Sequence, residues 1–202
     1  MKQLLLILFV GLTATTFAQE PAFIRDSLDV YIQREMKRWE IPGVAIAVIH
    51  KGDIITTKGY GYIDAEQTKS VDDKTLFMIA SNTKLFTGTS LAWLAYEGRL
   101  SLTDKVTDYL DYFHMYTDTL TAMVTLEDIL SHRLGFETFQ GDFYNWNNNA
   151  TRRQIIENIA KNKPVYDFRT KWGYCNAGFV TAGEVVHAVT DTTWEDFIQT
   201  DL

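Results

Sequence analysis

The sequence predicts an α+β fold, an antiparallel sheet near the front of the chain followed by a helical region. Three observations carry this. Val44 to Ile49 is an apolar run closed by Lys51-Gly52-Asp53 and followed by a shorter run from Ile54 to Lys58, which reads as a β-hairpin. From Ser81 the chain is apolar nearly all round through Leu91, Ala92, Leu94 and Ala95, the pattern of a helix buried in the middle of a fold. From Leu126 onward helical patterns predominate.

The elements follow in order. Residues 1–18 read as a signal peptide: Lys2 supplies a positive start, Leu4 to Leu12 the apolar run, and Thr16-Phe17-Ala18 the small residues for cleavage before Gln19. The run is too short for a membrane span, and no cysteine follows closely enough for a lipid anchor. An uncleaved N-terminal anchor is the alternative. Asp26 to Trp39 spaces Leu28, Val30, Ile32 and Met36 among charges, a surface helix ended by Ile41-Pro42-Gly43. After the hairpin comes the helix from Ser81, with Gly98 as its stop. Thr151 to Ala160 is a further helix with Thr151 as cap. Asn176 to Val189, dense in Ala, Gly and Val, is one that packs closely. Thr193 to Leu202 reads as the beginning of a helix with no stop signal.

Composition sets outer bounds. The chain is 46% hydrophobic and 22% charged, with a net charge of −7 that becomes −8 once Lys2 is removed with the leader. Nucleic acid, which needs clustered Lys and Arg, is excluded as a partner, and an anionic membrane surface is not attracted. The single Cys175 has no internal disulfide partner.

Chemistry concentrates at two places. Ser81-Asn82-Thr83-Lys84 is the only S-x-x-K in the chain and stands where a helix begins. Residues at i and i+3 share a helix face, so the Lys84 amine reaches the Ser81 oxygen. Serine attacks carbonyls only when a neighbouring base takes its proton. The helix start adds unpaired N–H groups suited to a developing oxyanion. The plainer reading makes Ser81 an N-cap with Lys84 in solvent.

The second place is Tyr174-Cys175-Asn176, the only Y-x-N, about ninety residues downstream. A phenol beside an ammonium loses its proton more readily, and an asparagine offers both donor and acceptor to a substrate amide. Taken singly, Tyr174 also fits a half-buried core tyrosine and Asn176 a helix cap.

Together these motifs resemble the serine β-lactamase and penicillin-binding-protein group, in particular class C β-lactamase-like serine hydrolases. The resemblance runs from about Asp26 to the last residue. It includes Ile41-Pro42-Gly43-Val44-Ala45-Ile46-Ala47-Val48 as the first strand and Lys51-Gly52-Asp53 as its turn. Gly59 to Asp64, Glu97 to Asp104 and Thr125 to His132 extend it. The resemblance implies a serine β-lactamase/transpeptidase-like fold without a cofactor or metal. It also implies bacterial origin and a periplasmic or secreted enzyme acting on β-lactams, D-amino-acid peptides or esters. Ser81 would become acylated, Lys84 and Tyr174 would share the proton work in either order, and Asn176 would hold the substrate amide. A non-catalytic binder of peptidoglycan-like or peptide ligands on the same fold is the alternative.

The chain also departs from the family pattern. Tyr166-Asp167-Phe168-Arg169-Thr170 replaces the usual proline-glycine pair before the Y-x-N, and His132-Arg133-Leu134-Gly135 alters the loop after the histidine. The family's third motif, a Lys- or His-x-Gly on a later strand, is expected beyond residue 202. Residues 19–202 are accordingly read as an incomplete domain lacking its C-terminal strands. As such the fragment is expected to be inactive and poorly folded, with an open edge on the Val44–Ile49 strand.

Remaining motifs carry less. Gly88-Thr89-Ser90-Leu91-Ala92 falls within a helix rather than at a strand-to-helix turn, and Gly59-Tyr60-Gly61 lacks a third glycine. His50, His114, His132 and His187 show no metal-ligand spacing. His132 is read as a loop stabiliser and Cys175 as small filler. The stretch with Phe143, Tyr144, Trp146 and Asn147-Asn148-Asn149 fits either a cleft wall or a plain surface loop.

Overall fold

The computed structural model describes residues 21–142 and 149–202. The leader read at 1–18, and Phe143, Tyr144, Trp146, Asn147 and Asn148 of the aromatic stretch, lie outside the described residues. The fold is α+β, and the chain divides into two compact units, Met1–Met78 and Ile79–Leu202.

The first unit holds helices α1 (Ala22–Asp26) and α2 (Leu28–Trp39) and strands β1 (Gly43–His50) and β2 (Asp53–Gly61). The single helix expected from Asp26 is broken at Ser27, whose φ of −131° is not helical. Helix α2 ends at Glu40, which takes a left-handed conformation and donates its N–H to the Met36 carbonyl. The hairpin forms as expected. Lys51 and Gly52 both have positive φ, 54° and 91°, which a two-residue turn of the right-handed ribbon twist requires. The ladder runs antiparallel from Gly43 opposite Gly61 to His50 opposite Asp53, with an irregularity between Val48 and Ile49 that leaves Ile55 as the extra residue. Asp29 of α2 accepts from Lys58 Nζ at 3.0 Å and Tyr60 Oη at 2.6 Å, tying helix to hairpin. No strand residue is fully buried, and among the described residues of this unit only Leu28 and Val71 are buried apolar residues.

The second unit holds the core. A one-turn 3₁₀ helix at Ala80–Asn82 leads into α3 (Thr83–Tyr96), and a second at Val106–Asp108 follows. Then come α4 (Asp118–Met123), α5 (Leu126–Leu130), α6 (Arg152–Ile159), α7 (Asn176–Thr190) and α8 (Trp194–Thr200). Helices α3, α5, α6 and α8 all pack on α7. Its small residues allow this: Ala177, Gly178, Thr181, Ala182, Gly183, Val185 and Val186 are buried. Leu91, Leu94, Phe113, Leu126, Ile129, Phe136, Ile156 and Phe197 fill the space around it.

One expectation changes here. Helix α3 buries only Thr87, Ser90, Leu91 and Leu94, while Leu85, Trp93 and Tyr96 are 70%, 44% and 84% exposed. An all-round apolar sequence does not name the face that meets a neighbour. Helix α8 runs to Thr200 with Asp201 at its C-cap. The Thr151 cap is as expected, its hydroxyl accepting from Gln154 N–H while the Gln154 side chain accepts from Thr151 N–H.

A buried ion cluster braces the loops below α7. Asp128, fully buried in α5, accepts from Arg133 Nε at 2.5 Å and from Arg169 Nε and Nη2 at 2.8 and 2.7 Å. It also accepts from the Thr125 hydroxyl at 2.8 Å. Burial alone would raise this carboxyl, but the guanidinium and hydroxyl donors outweigh it and hold it at about 2. Arg169 sits within the segment that stands in place of the expected proline-glycine pair. Its backbone N–H donates to Arg133 O at 3.0 Å, joining that segment to the loop after α5.

Candidate active site

Ser81 stands in the 3₁₀ turn before α3, not in the helix itself. The preceding Ala80 has a φ of 46°, a left-handed conformation that non-glycine residues adopt at some cost. The N-cap of α3 is Asn82, whose side-chain amide donates to Ile79 O at 2.9 Å, so Ser81 is not spent as a cap. Its hydroxyl is exposed and available. Lys84, one turn on, reaches back to Ser81 Oγ at 3.3 Å, as the spacing predicted.

Tyr174 comes to the same point from the far end of the unit. Its phenol oxygen lies 2.5 Å from Ser81 Oγ. Lys84 Nζ sits 4.7 Å from the Tyr174 ring centroid and donates to Asn176 Oδ1 at 2.6 Å. All four residues singled out from the two motifs therefore meet in one cluster. Asn176 is the first residue of α7 rather than its cap, since Cys175 occupies that position.

The loop that delivers Tyr174 is held from several sides. His132, at φ 58°, accepts from Gly173 N–H through its carbonyl at 2.8 Å and from Cys175 N–H through Nδ1 at 3.1 Å. Its ring lies 4.7 Å from that of Tyr174. Gly173 fits because a Cβ there would run into Phe136 O. Tyr174 N–H donates to Thr138 Oγ1 at 3.3 Å, and Tyr174 O accepts from Phe139 N–H at 2.8 Å.

Electrostatics follow from this packing. Burial alone would raise the Tyr174 phenol, but the neighbouring Lys84 ammonium and Ser81 hydroxyl outweigh it and hold it below the ordinary value of 10. Burial, with the Lys84 charge behind it, pushes His132 down and keeps its ring neutral. As Nδ1 accepts a bond, the ring proton sits on Nε2. Burial pushes the Cys175 thiol up to about 11, and the residue is 2% exposed, so it is packing and not a nucleophile.

Asp142 is the residue sequence reasoning missed. It is 4% exposed and accepts from Asn176 Nδ2 at 2.6 Å. Burial raises its carboxyl even though Asn176 donates to it and Lys84 lies near. No spacing rule marks it, because the turn that brings it to Asn176 is itself set by the bonds between Thr138, Phe139 and Tyr174. Among the described residues, no three of His, Cys, Asp and Glu converge as a metal-ligand set.

Ser81 Oγ thus touches both an amine and a phenol whose proton affinity is lowered, an arrangement able to generate an alkoxide and return a proton to a leaving group. Comparison with known proteins gives the family of the chain. A model of the beta-lactamase family matches residues 28–202. Protein flp of Staphylococcus aureus (strain MRSA252) is 30% identical over 179 residues, covering 86% of this chain and 35% of that protein. The unguisins hydrolase ungD of Aspergillus violaceofuscus is 31% identical over 174 residues, 81% of this chain and 30% of its own length. A class C beta-lactamase from Rhodobacter sphaeroides superposes with a TM-score of 0.66 at 24% identity, over 86% of this chain and 46% of that one. The chain therefore spans about a third of the curated relatives' length and just under half of that solved chain.

Proposed function

The chain belongs to the beta-lactamase family, and from that footing we propose that its site is the acylation half of an exported serine hydrolase. One observation carries the proposal. Ser81 Oγ is held between Tyr174 Oη at 2.5 Å and Lys84 Nζ at 3.3 Å. That a relative with 31% identity is named a hydrolase supports hydrolysis as the reaction.

In the proposed cycle Tyr174, as phenolate, takes the Ser81 proton while Oγ bonds to the substrate carbonyl carbon. Tyr174 is assigned this step because it is the nearer group and Lys84 already donates in two directions. The carbonyl becomes an oxyanion facing the Ser81 backbone N–H. As the intermediate collapses, Tyr174 returns the proton to the leaving nitrogen or oxygen, and an ester to Ser81 remains. Water then attacks that ester, giving its proton to Tyr174, which passes it back to Ser81 Oγ as the acid departs. Lys84 stays charged throughout and stabilises the phenolate. Asn176 keeps one Nδ2 hydrogen and one Oδ1 lone pair for a substrate amide.

The substrate reading is a β-lactam, a D-amino-acid peptide or an ester, handled outside the cytoplasm after cleavage near Ala18. The second oxyanion donor is assigned to a Lys- or His-x-Gly strand in the whole protein, so residues 19–202 alone are proposed to turn over poorly.

A fluorophosphonate or fluorescent penicillin tests the proposal on the protein carried to its full reading frame. Covalent label on Ser81, absent in Ser81→Ala, is expected. Reversible binding without label in the wild type would instead favour a binder on the same fold.

A further inference from the structure

Asp142 is a buried carboxylate that the proposed cycle leaves without a task. It is 4% exposed, and its Oδ2 accepts from Asn176 Nδ2 at 2.6 Å. The other end of the same amide, Oδ1, accepts from Lys84 Nζ at 2.6 Å. The amide is therefore a bridge between a carboxylate and an ammonium.

The order of that bridge matters. A carboxylate can only accept, so the Asn176 amide must present its NH₂ end to Asp142. Its oxygen is then forced toward Lys84. Were the amide reversed, two donors would face each other at Lys84 and two acceptors at Asp142. We propose that Asp142 is a positioning residue: it fixes the Asn176 amide with Oδ1 toward Lys84 and so holds Lys84 as a charged donor on Ser81.

Asp142 is itself placed by the site rather than by chance. Its own N–H donates to Phe139 O at 3.1 Å, and Phe139 N–H donates to Tyr174 O at 2.8 Å. Thr138 Oγ1 accepts from Tyr174 N–H at 3.3 Å. The turn that carries Asp142 is thus bonded to the backbone of the residue proposed as base. Among the described residues, the titratable groups around Tyr174 are Lys84 from α3, His132 from the loop after α5, Asp142 from this turn and the adjoining Cys175 thiol. Of these, Lys84 lowers the phenol and the Asp142 charge opposes it. Asp142 serves by orienting the amide, not by its direct effect on Tyr174.

The experiment has two arms, and the rate arm rests on the acyl-enzyme reading while the other does not. In the first, the side-chain amide of Asn176 is followed by ¹⁵N–¹H NMR through a pH titration of this chain. A downfield Nδ2 proton that titrates with one carboxyl group is expected, losing the titration in Asp142→Asn and both features in Asp142→Ala. Resonances untouched by these substitutions would overturn the lock.

In the second, fluorophosphonate labelling of Ser81 in the full-length protein is timed across pH. Asp142→Ala is expected to slow the plateau rate about 10- to 100-fold. Asp142→Asn keeps an oxygen able to accept from Nδ2, so it recovers most of that loss. With the opposing charge gone, its acid limb lies at lower pH than in wild type. Equal slowing in both variants, each folded by circular dichroism, would overturn the positioning role. A wild type that takes no label would remove the acyl-enzyme reading and leave the NMR arm to decide Asp142.

Discussion

His132 lies against Tyr174 with ring centroids 4.7 Å apart, and its Nδ1 accepts from the backbone N–H of the next residue, Cys175, at 3.1 Å. A histidine this close to the proposed base invites a catalytic assignment, but both facts make it a shelf for the Tyr174 loop. Removing the imidazole in His132→Ala leaves a buried N–H without its acceptor, a loss of about 1–3 kcal/mol. Thermal melting should show it. The ring is neutral in the fold, its affinity for a proton lowered by burial. The unfolded chain therefore takes up that proton first as pH falls below about 6.5, and stability declines from there downward. Wild type should lose melting temperature between neutral and mildly acid pH by an increment that His132→Ala lacks. An identical pH dependence in the two would show that the ring is not held neutral.

The Ser81–Tyr174 contact makes a kinetic prediction. Tyr174→Phe keeps the ring on its shelf and deletes only the oxygen that takes the serine proton. Labelling of Ser81 in the full-length protein should slow by about 10²–10⁴-fold, the usual range for a lost general base. The wild-type rate should rise with pH along a limb set by a phenol below its ordinary value. Lys84→Met removes the ammonium that favours the phenolate, so the limb must move to higher pH. Labelling of Tyr174→Phe at the wild-type rate would transfer the base role to Lys84.

Asp128 predicts how the molecule answers to acid and to mutation. Asp128→Ala would strand Arg133 and Arg169 without the carboxylate that both address. Because those arginines are 31% and 40% exposed at their side chains, the cost lies at or below the lower end of the buried-pair range, about 3 kcal/mol. Chemical denaturation should report it. Its carboxyl is held at about 2, below the ordinary value of 3.8, so its stabilisation is complete above that ordinary value. It is lost as pH falls from there through about 2. An Asp128→Ala variant as stable as wild type at neutral pH would mean that the arginines find water just as good a partner.

What the sequence made legible was whatever depends on close spacing. Ser81 and Lys84 are one turn apart, Tyr174 and Asn176 two residues apart, and each pair could be recognised before any fold was known. That the two pairs meet is a property of α7 crossing α3, and resemblance supplied it where spacing could not. Asp142 stayed hidden because its bond to Asn176 spans 34 residues of sequence and depends on turn bonds around Phe139. Helix α3 starts two residues after Ser81 because Ala80 and Ser81 form a strained 3₁₀ entry, which helix propensity does not anticipate. The break at Ser27 falls ahead of Leu28, the first apolar residue of the predicted helix, where apolar spacing carries no information.

Local stability should differ sharply between the hairpin and α7. Every residue of β1 and β2 is exposed or only partly buried, whereas α7 buries seven. Opening of the ladder therefore exposes little new apolar surface, and an isolated pair of strands is marginal in water. Hydrogen exchange should find the Gly43–Gly61 amides exchanging about 10²-fold or more faster than those of Thr181 to Val186. Equal protection would mean that the strands are covered to an extent their exposure does not reveal.

Cys175 supplies the final prediction, because its position between Tyr174 and Asn176 makes it the obvious rival nucleophile. The thiol is 2% exposed and burial pushes it up to about 11, so almost no thiolate exists at neutral pH. Only its backbone N–H serves the site, through His132, and any residue but proline has that N–H. Cys175→Ala should therefore label at Ser81 as fast as wild type. It should lose only about 1 kcal/mol for the vacated sulfur volume. A disulfide reagent should react with the native protein only at the rate of unfolding and at once in denaturant. Rapid modification of the folded protein, with Ser81 labelling lost in Cys175→Ala, would move the chemistry from the hydroxyl to the thiol.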